Sequence, residues 1–129
     1  MTMYRIADGP ADYAKCHRLL KEEGIPDHEL SFPTIMAKKD NELTGMLATH
    51  YSNGMIIAGP LVLKSGQRRY YTLIRLIETY ERVMRAAGIT SYIFSAEASN
   101  EAWLDKIDKL FHFKPYAEKD GRLFFIRDL

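Results

Sequence analysis

Apolar positions recur along this chain with changing spacing, and each change marks an element. Met3–Ala7 alternates weakly, as a short strand does, and Gly9-Pro10 ends it. Tyr13, Cys16, Leu19 and Leu20 then fall at helical spacing. That helix opens at Ala11 or Asp12 and continues through Glu23, with Gly24 as its stop. No period holds from Ile25 to Pro33, where Pro26 and Pro33 punctuate an irregular stretch with room for a short helical turn over Asp27–Ser31. Thr34–Lys38 and Leu43–Tyr51 are β-type runs joined through Asp40-Asn41. Ser52-Asn53-Gly54 reads as a hairpin turn, because Asn and Gly tolerate positive φ. Met55–Leu63 is a continuous apolar run that contains Gly59-Pro60. Proline removes a ladder donor, so a bulge or a splayed edge is predicted there.

The second half repeats this logic with a longer helix. Lys64–Arg69 is a polar loop. In Tyr70–Ala87, Leu73, Leu76, Ile77, Tyr80, Val83, Met84 and Ala87 form one stripe, and Gly88 ends the helix. Ser91–Ala96 is a fifth strand. Ser99-Asn100 caps a last helix whose apolar side is Trp103, Leu104, Ile107, Leu110 and Phe111. His112–Glu118 and Leu123–Arg127 are the sixth and seventh strands, joined by Lys119-Asp120-Gly121. The last run is apolar enough to be either an interior strand or a dimer edge. Met55 to Ala96 is a strand–helix–strand crossover and requires two parallel neighbouring strands. The predicted class is α/β: a mixed, mostly antiparallel sheet of about six or seven strands with helices on both faces.

Bulk properties narrow the field further. With 129 residues, 47% hydrophobic and 27% charged, the chain suits one globular domain over 1–129 and not a disordered segment. A net charge of +1 gives no global attraction to nucleic acid or acidic membranes. This weighs against nucleic-acid binding through Lys64, Gln67, Arg68, Arg69, Arg75 and Arg82. The N-terminus lacks a signal-peptide pattern and no run can span a membrane, so the expected location is the cytoplasm. Cys16 is the single cysteine and the four histidines are scattered, so no metal site is expected.

The order of elements resembles that of the GNAT superfamily of N-acetyltransferases over essentially the whole chain. Two stretches carry the resemblance locally. Thr34–Tyr51 is similar to the family's second and third strands, with Gly45 early in the third. Ile89–Phe113 is similar to its fifth strand and following helix, and Ala96-Glu97-Ala98-Ser99-Asn100-Glu101 is the best match. The resemblance implies acetyl-CoA as co-substrate, direct transfer to a primary amine on a small molecule or a protein within a ternary complex, and a homodimer in some members.

It also implies positions for the cofactor. Leu61 and Val62 match the strand residues that pair with the pantetheine amides, and the backbone N–H of Val62 or a neighbour would hold the oxyanion. A helix N-terminus with unpaired N–H groups suits a pyrophosphate. The family's Gln/Arg-x-x-Gly-x-Gly/Ala signature falls on Arg68-Arg69-Tyr70-Tyr71-Thr72-Leu73, where Tyr71 and Leu73 replace the two small residues. Arg68 and Arg69 can bind phosphate directly. The rings of Tyr70 and Tyr71 can pack on the sheet, cover the adenine or fill the pocket. Asn100, at the start of the last helix, completes the cofactor set.

Catalysis needs a base for the amine, and Glu97 and His50 are the candidates. His17 and His28 lie in regions that border the acceptor in this family. The acid tyrosine that members often carry on the last helix is missing from Ile107–Phe113, and Tyr116 on the next strand is its candidate replacement. These departures leave a second reading open: a GNAT-like domain that binds a partner without catalysing.

Overall fold

The structure, a computed structural model, describes residues 1–64, 69–97 and 101–129; nothing is stated of the side chains of residues 69, 97 and 101–103. The elements run β1 (Thr2–Ile6), α1 (Gly9–Glu22), β2 (Ser31–Lys39), β3 (Glu42–Ser52), β4 (Met55–Leu63), α2 (Arg69–Ala86), β5 (Ser91–Glu97), α3 (Glu101–Phe111), β6 (Lys114–Lys119) and β7 (Arg122–Asp128). The strands form one sheet in the order β1-β2-β3-β4-β5-β7-β6. The β4–β5 pair, bridged by α2, is parallel, and the other neighbours are antiparallel. The predicted mixed α/β sheet is therefore the observed one.

Each face of the sheet buries its own core. On one face Cys16, Leu19 and Leu20 of α1 pack on Met36, Met46, Ala48 and Val62. On the other, Leu73, Leu76, Ile77, Tyr80 and Met84 of α2 join Ile107 and Phe111 of α3 over Ile35, Leu47 and Phe94. Burying a side chain of this size contributes about 1.5–3 kcal/mol, so these helical stripes account for how both helix layers are held.

Three expectations require correction. First, α1 starts at Gly9, earlier than Ala11 or Asp12. Pro10 sits in its first turn, where a missing N–H leaves nothing unpaired. Second, no helical turn forms over Asp27–Ser31; β2 begins at Ser31 and continues through Pro33. Thr34 Oγ1 donates to the Ser31 carbonyl at 2.8 Å and Thr49 Oγ1 to the Pro33 carbonyl at 2.7 Å, which anchors this proline-containing strand start. Third, β6 begins at Lys114 and not at His112. His112 has φ +53° and donates its N–H to the Asp108 carbonyl at 2.8 Å, so it ends α3.

The question left open for the last run is answered by register. β7 pairs with both β5 and β6 and is interior. Its Arg127 reaches Glu81 of α2 through two hydrogen bonds, at 2.8 and 3.0 Å, and Tyr92 of β5 donates to the same carboxylate at 2.7 Å. Burial, and the charge of Glu81, push the Tyr92 phenol well above its ordinary pKa. This cluster ties α2, β5 and β7 together.

A second ion pair fixes the other end. Asp12 accepts from Arg5 at 2.7 and 2.9 Å and from the Asp8 N–H at 2.8 Å, so β1 and the start of α1 share one carboxylate. The hydrogen bonds from Arg5, followed by that from the Asp8 amide, hold the Asp12 pKa at about 2. A depressed carboxylate pKa stabilises the fold at pH values above the unfolded pKa of about 3.9, and the contribution is lost as pH falls toward the folded value. Partial exposure of Arg5 screens the pair, which leaves roughly 1–2 kcal/mol. Asp12→Asn is expected to lose that amount at pH 7. Its stability in urea should converge on that of the unmodified chain between about pH 4 and pH 2; a difference that does not depend on pH would show that the charge contributes nothing.

Candidate functional site

The site begins as a fault in one strand. Leu47 pairs with Leu61 and Thr49 with Ala58, so Gly59 and Pro60 together oppose Ala48. This is a bulge, as Gly59-Pro60 predicts. Gly59 takes φ +145°, which side chains other than hydrogen rarely allow. The extra residue reverses the alternation of β4: Ile56 and Ala58 face the α2–α3 core before it, and Leu61 and Leu63 face that core after it.

The bulge also ends the pairing with β5. Only Ile57–Ile93 and Ala58–Phe94 are paired, although both strands continue. The Lys64 N–H donates to the Thr44 carbonyl at 2.9 Å, which sets the phase of the β3–β4 ladder beyond the bulge. Met46–Val62 is then a hydrogen-bonded pair, and Leu61 and Leu63 direct their N–H and C=O groups away from β3, toward the β5 side. Gly45 lets this end of β4 approach closely, since a Cβ there would meet the Val62 carbonyl oxygen at 3.1 Å.

A cavity of about 780 Å³ occupies the splay. Ile57, Ala58, Gly59, Pro60 and Leu61 line its β4 side; Phe94, Ser95 and Ala96 line its β5 side. Arg122 and Phe124 of β7, His50 of β3, and Ile25, Pro26 and His28 of the stretch after α1 complete its described walls.

His50 is half-buried, and its Nδ1 lies 3.1 Å from the Gly59 carbonyl oxygen. A carbonyl can only accept, so this contact assigns the proton to Nδ1 and leaves the lone pair on Nε2. The exposed His28 ring stands 6.1 Å from the His50 ring. Nδ1 of His17, by contrast, lies 3.0 Å from a carboxylate oxygen of Asp27, and His17 is absent from the described walls of this cavity.

The remaining sequence candidates are scattered. Leu61 is in the cavity wall, but Val62 is buried against α1 with its amide in the β3 ladder. A donor facing the opening therefore comes from its neighbour Leu61. Tyr116 is the extra residue of a bulge in the exposed edge strand β6 and is not among the lining residues. Glu97 is the last residue of β5, paired with Arg122 in register. Arg69 opens α2, with Tyr70, Tyr71 and Thr72 in its first turn. Tyr70 leans on α3, with the Lys106 ammonium 5.5 Å from its ring centre. Tyr70 and Tyr71 are exposed and neither lines the cavity, so neither ring fills it. Leu73 is wholly buried in the core and thus does not face a phosphate. Arg68 and Asn100 lie outside the described residues.

Arg122 and Ser95 had no signal in the sequence. They meet only because β7 inserts beside β5, which places Ser95 opposite Phe124 and Arg122 one diagonal away.

The sequence matches no protein-family model and no curated protein. Solved structures do match. PaiA N-acetyltransferase from Thermoplasma acidophilum, in complex with coenzyme A, superposes with a TM-score of 0.76 at 14% identity, covering 100% of this chain and 99% of that one. Diaminobutyrate acetyltransferase EctA from Paenibacillus lautus, in complex with its substrate and coenzyme A, gives 0.71 at 11% identity, covering 99% and 95%. ElaA from Escherichia coli gives 0.69 at 15% identity, covering 98% and 99%. The chain shares the fold of these three structures, the GNAT fold.

Proposed function

We propose that this chain is an N-acetyltransferase that transfers acetyl from acetyl-CoA to a primary amine held in the same cavity. The observation that carries the reading is the open edge of β4. Beyond Ala58 it has no paired residue on β5, and Leu61, which lines the cavity, directs its backbone N–H and C=O to that side. Alternate residues on a strand stand about 6.6–6.8 Å apart, and an extended arm bearing amide groups can pair with such an edge. The pantetheine arm of CoA is such a group. That PaiA and EctA, which share this fold, hold coenzyme A supports the same reading.

Acetyl-CoA would supply the activated acyl group. Leu61 offers a backbone N–H toward the opening, where it stabilises negative charge developing on the thioester oxygen. Nε2 of His50 takes the proton of the attacking amine, directly or through one water, while the Gly59 carbonyl holds the ring and its tautomer. Glu97, at the end of β5, is the second candidate base. With Tyr116 outside the cavity, the departing thiolate takes its proton from water or from the imidazolium just formed. Arg68 and Arg69 at the start of α2 would meet the pyrophosphate. The location proposed is the cytoplasm, with no nucleic-acid partner.

Calorimetric titration with acetyl-CoA tests this reading. Binding in the micromolar range is expected, weakened by about tenfold or more in the Arg68→Ala, Arg69→Ala double variant, because each charge-assisted contact contributes about 1.5–3 kcal/mol. Absence of heat at millimolar ligand would leave the other reading of this fold, a binding domain without catalysis.

A further inference from the structure

We propose that His28 is a proton relay: it carries to solvent the proton that an acceptor ammonium must lose before its nitrogen can attack. The inference rests on the function just proposed and adds a second residue to its chemistry.

The proton count requires such a route. An aliphatic amine arrives as an ammonium and leaves as an amide, so its nitrogen sheds two protons. One ends on the thiol of CoA and the other in water. Loss of the first frees the nitrogen lone pair. That pair forms the N–C bond while the thioester C=O becomes an oxyanion, and the second proton passes to His50. The C–S bond then breaks, and the thiolate takes this proton back from the imidazolium. His50 therefore acts twice and must be neutral again before the second transfer. It cannot pass a proton through its ring, because Nδ1 already donates to the Gly59 carbonyl at 3.1 Å. The first proton has to leave from the same Nε2 on which it arrived, to a neighbour.

His28 is that neighbour. Both histidines line the cavity, and their ring centres stand 6.1 Å apart. Two hydrogen bonds in series through one water span roughly 5–6 Å between nitrogens, which suits that separation. The remaining titratable group among the described lining residues is Arg122, whose guanidinium cannot take a proton. His28 is exposed, so solvent can remove what it receives. Its place is nonetheless held from both sides. Ile25 and Leu30 pack against the core beneath α1, and the Ile25 N–H donates to the Leu20 carbonyl at 2.9 Å. The carboxylate of the adjacent Asp27 lies 3.0 Å from Nδ1 of His17. A neutral imidazole takes a proton on one nitrogen and releases one from the other, so the relay resets itself.

The test compares two amines of one size on the full chain. At about pH 7 ethylamine is an ammonium, whereas methoxyamine is uncharged and sheds no proton before attack. Thiol release from acetyl-CoA is measured with each. His28→Gln is expected to lower the ethylamine rate relative to the methoxyamine rate by about tenfold or more, within reach of the 10²–10⁴ that positioned proton transfer contributes. A merely structural role would lower both rates alike, and an unchanged ratio overturns the relay. In His28→Ala, added imidazole should restore the ethylamine rate selectively; imidazole that lifts both rates equally overturns the relay too. Acetyl-CoA affinity is titrated alongside. A chain that binds acetyl-CoA and either keeps the ratio or acetylates neither amine loses the relay alone. A chain that binds no acetyl-CoA loses the acetyltransferase reading, and the relay with it.

Discussion

Replacing His50 with asparagine is expected to lower the turnover of acetyl transfer by about 10²- to 10⁴-fold, the range that a positioned general base contributes. The choice of asparagine separates two roles of the residue. Its Nδ2 stands where the imidazole has Nδ1, so it can still donate to the Gly59 carbonyl now 3.1 Å away and hold the bulge. It has no counterpart to the basic Nε2. Acetyl-CoA affinity should therefore persist while thiol release at saturating acetyl-CoA and amine collapses, the signature of a group used only in the transition state. Full turnover in this variant would transfer the base to Glu97, for which Glu97→Gln is the corresponding substitution. Loss of acetyl-CoA binding would show that the ring is a prop for β4 and not a catalytic group.

The largest expected effect on stability lies on the opposite face. Glu81→Ala leaves Arg127, whose side chain is 17% exposed, and the buried Tyr92 hydroxyl without their shared acceptor. Removing one partner of such a pair typically destabilises by about 3–5 kcal/mol, which for a domain of this length lowers Tm on the order of 10–20 °C. The triple variant Glu81→Met, Arg127→Met, Tyr92→Phe removes all three polar groups together and should recover most of that loss. Urea denaturation of both variants checks the pair of outcomes. If Glu81→Ala lowers stability by less than about 1 kcal/mol, the carboxylate is solvated and the network is ornamental.

What could be read from the sequence divides by how local its cause is. The helical stripes of α1 and α2, the Asn53-Gly54 hairpin and the crossover between β4 and β5 each depend on residues close in the chain, and all of them appear. The bulge at Gly59-Pro60 was legible for the same reason, since proline states its own constraint. Helix and strand starts near proline were misjudged. Pro10 is tolerated in a first turn and Pro33 near a strand start, and in both cases neighbours supply hydrogen bonds that composition does not reveal. The candidate site was half legible. Leu61, which the family resemblance names, and His50, named for its place near the end of its strand, sit on or beside the bulge. Arg122 and Ser95 are brought together by a strand insertion more than twenty residues away, and no local pattern encodes it. Tyr116 was proposed because a tyrosine was missing nearby, and its strand proved to be the sheet's outer edge.

The bulge in β4 has a consequence for how such a protein can change. A strand of uniform phase there could continue its ladder with β5 and bury more of both edges. Selection for thermal robustness alone would favour that continuous sheet, and it would erase the opening together with the backbone groups that face it. The Gly59-Pro60 pair holds β4 away from its most regular form, and the proposed acetyl transfer would account for keeping it there. Variants that drift toward greater stability at this position should therefore be read as losing chemistry, whereas drift in either helix layer carries no such meaning.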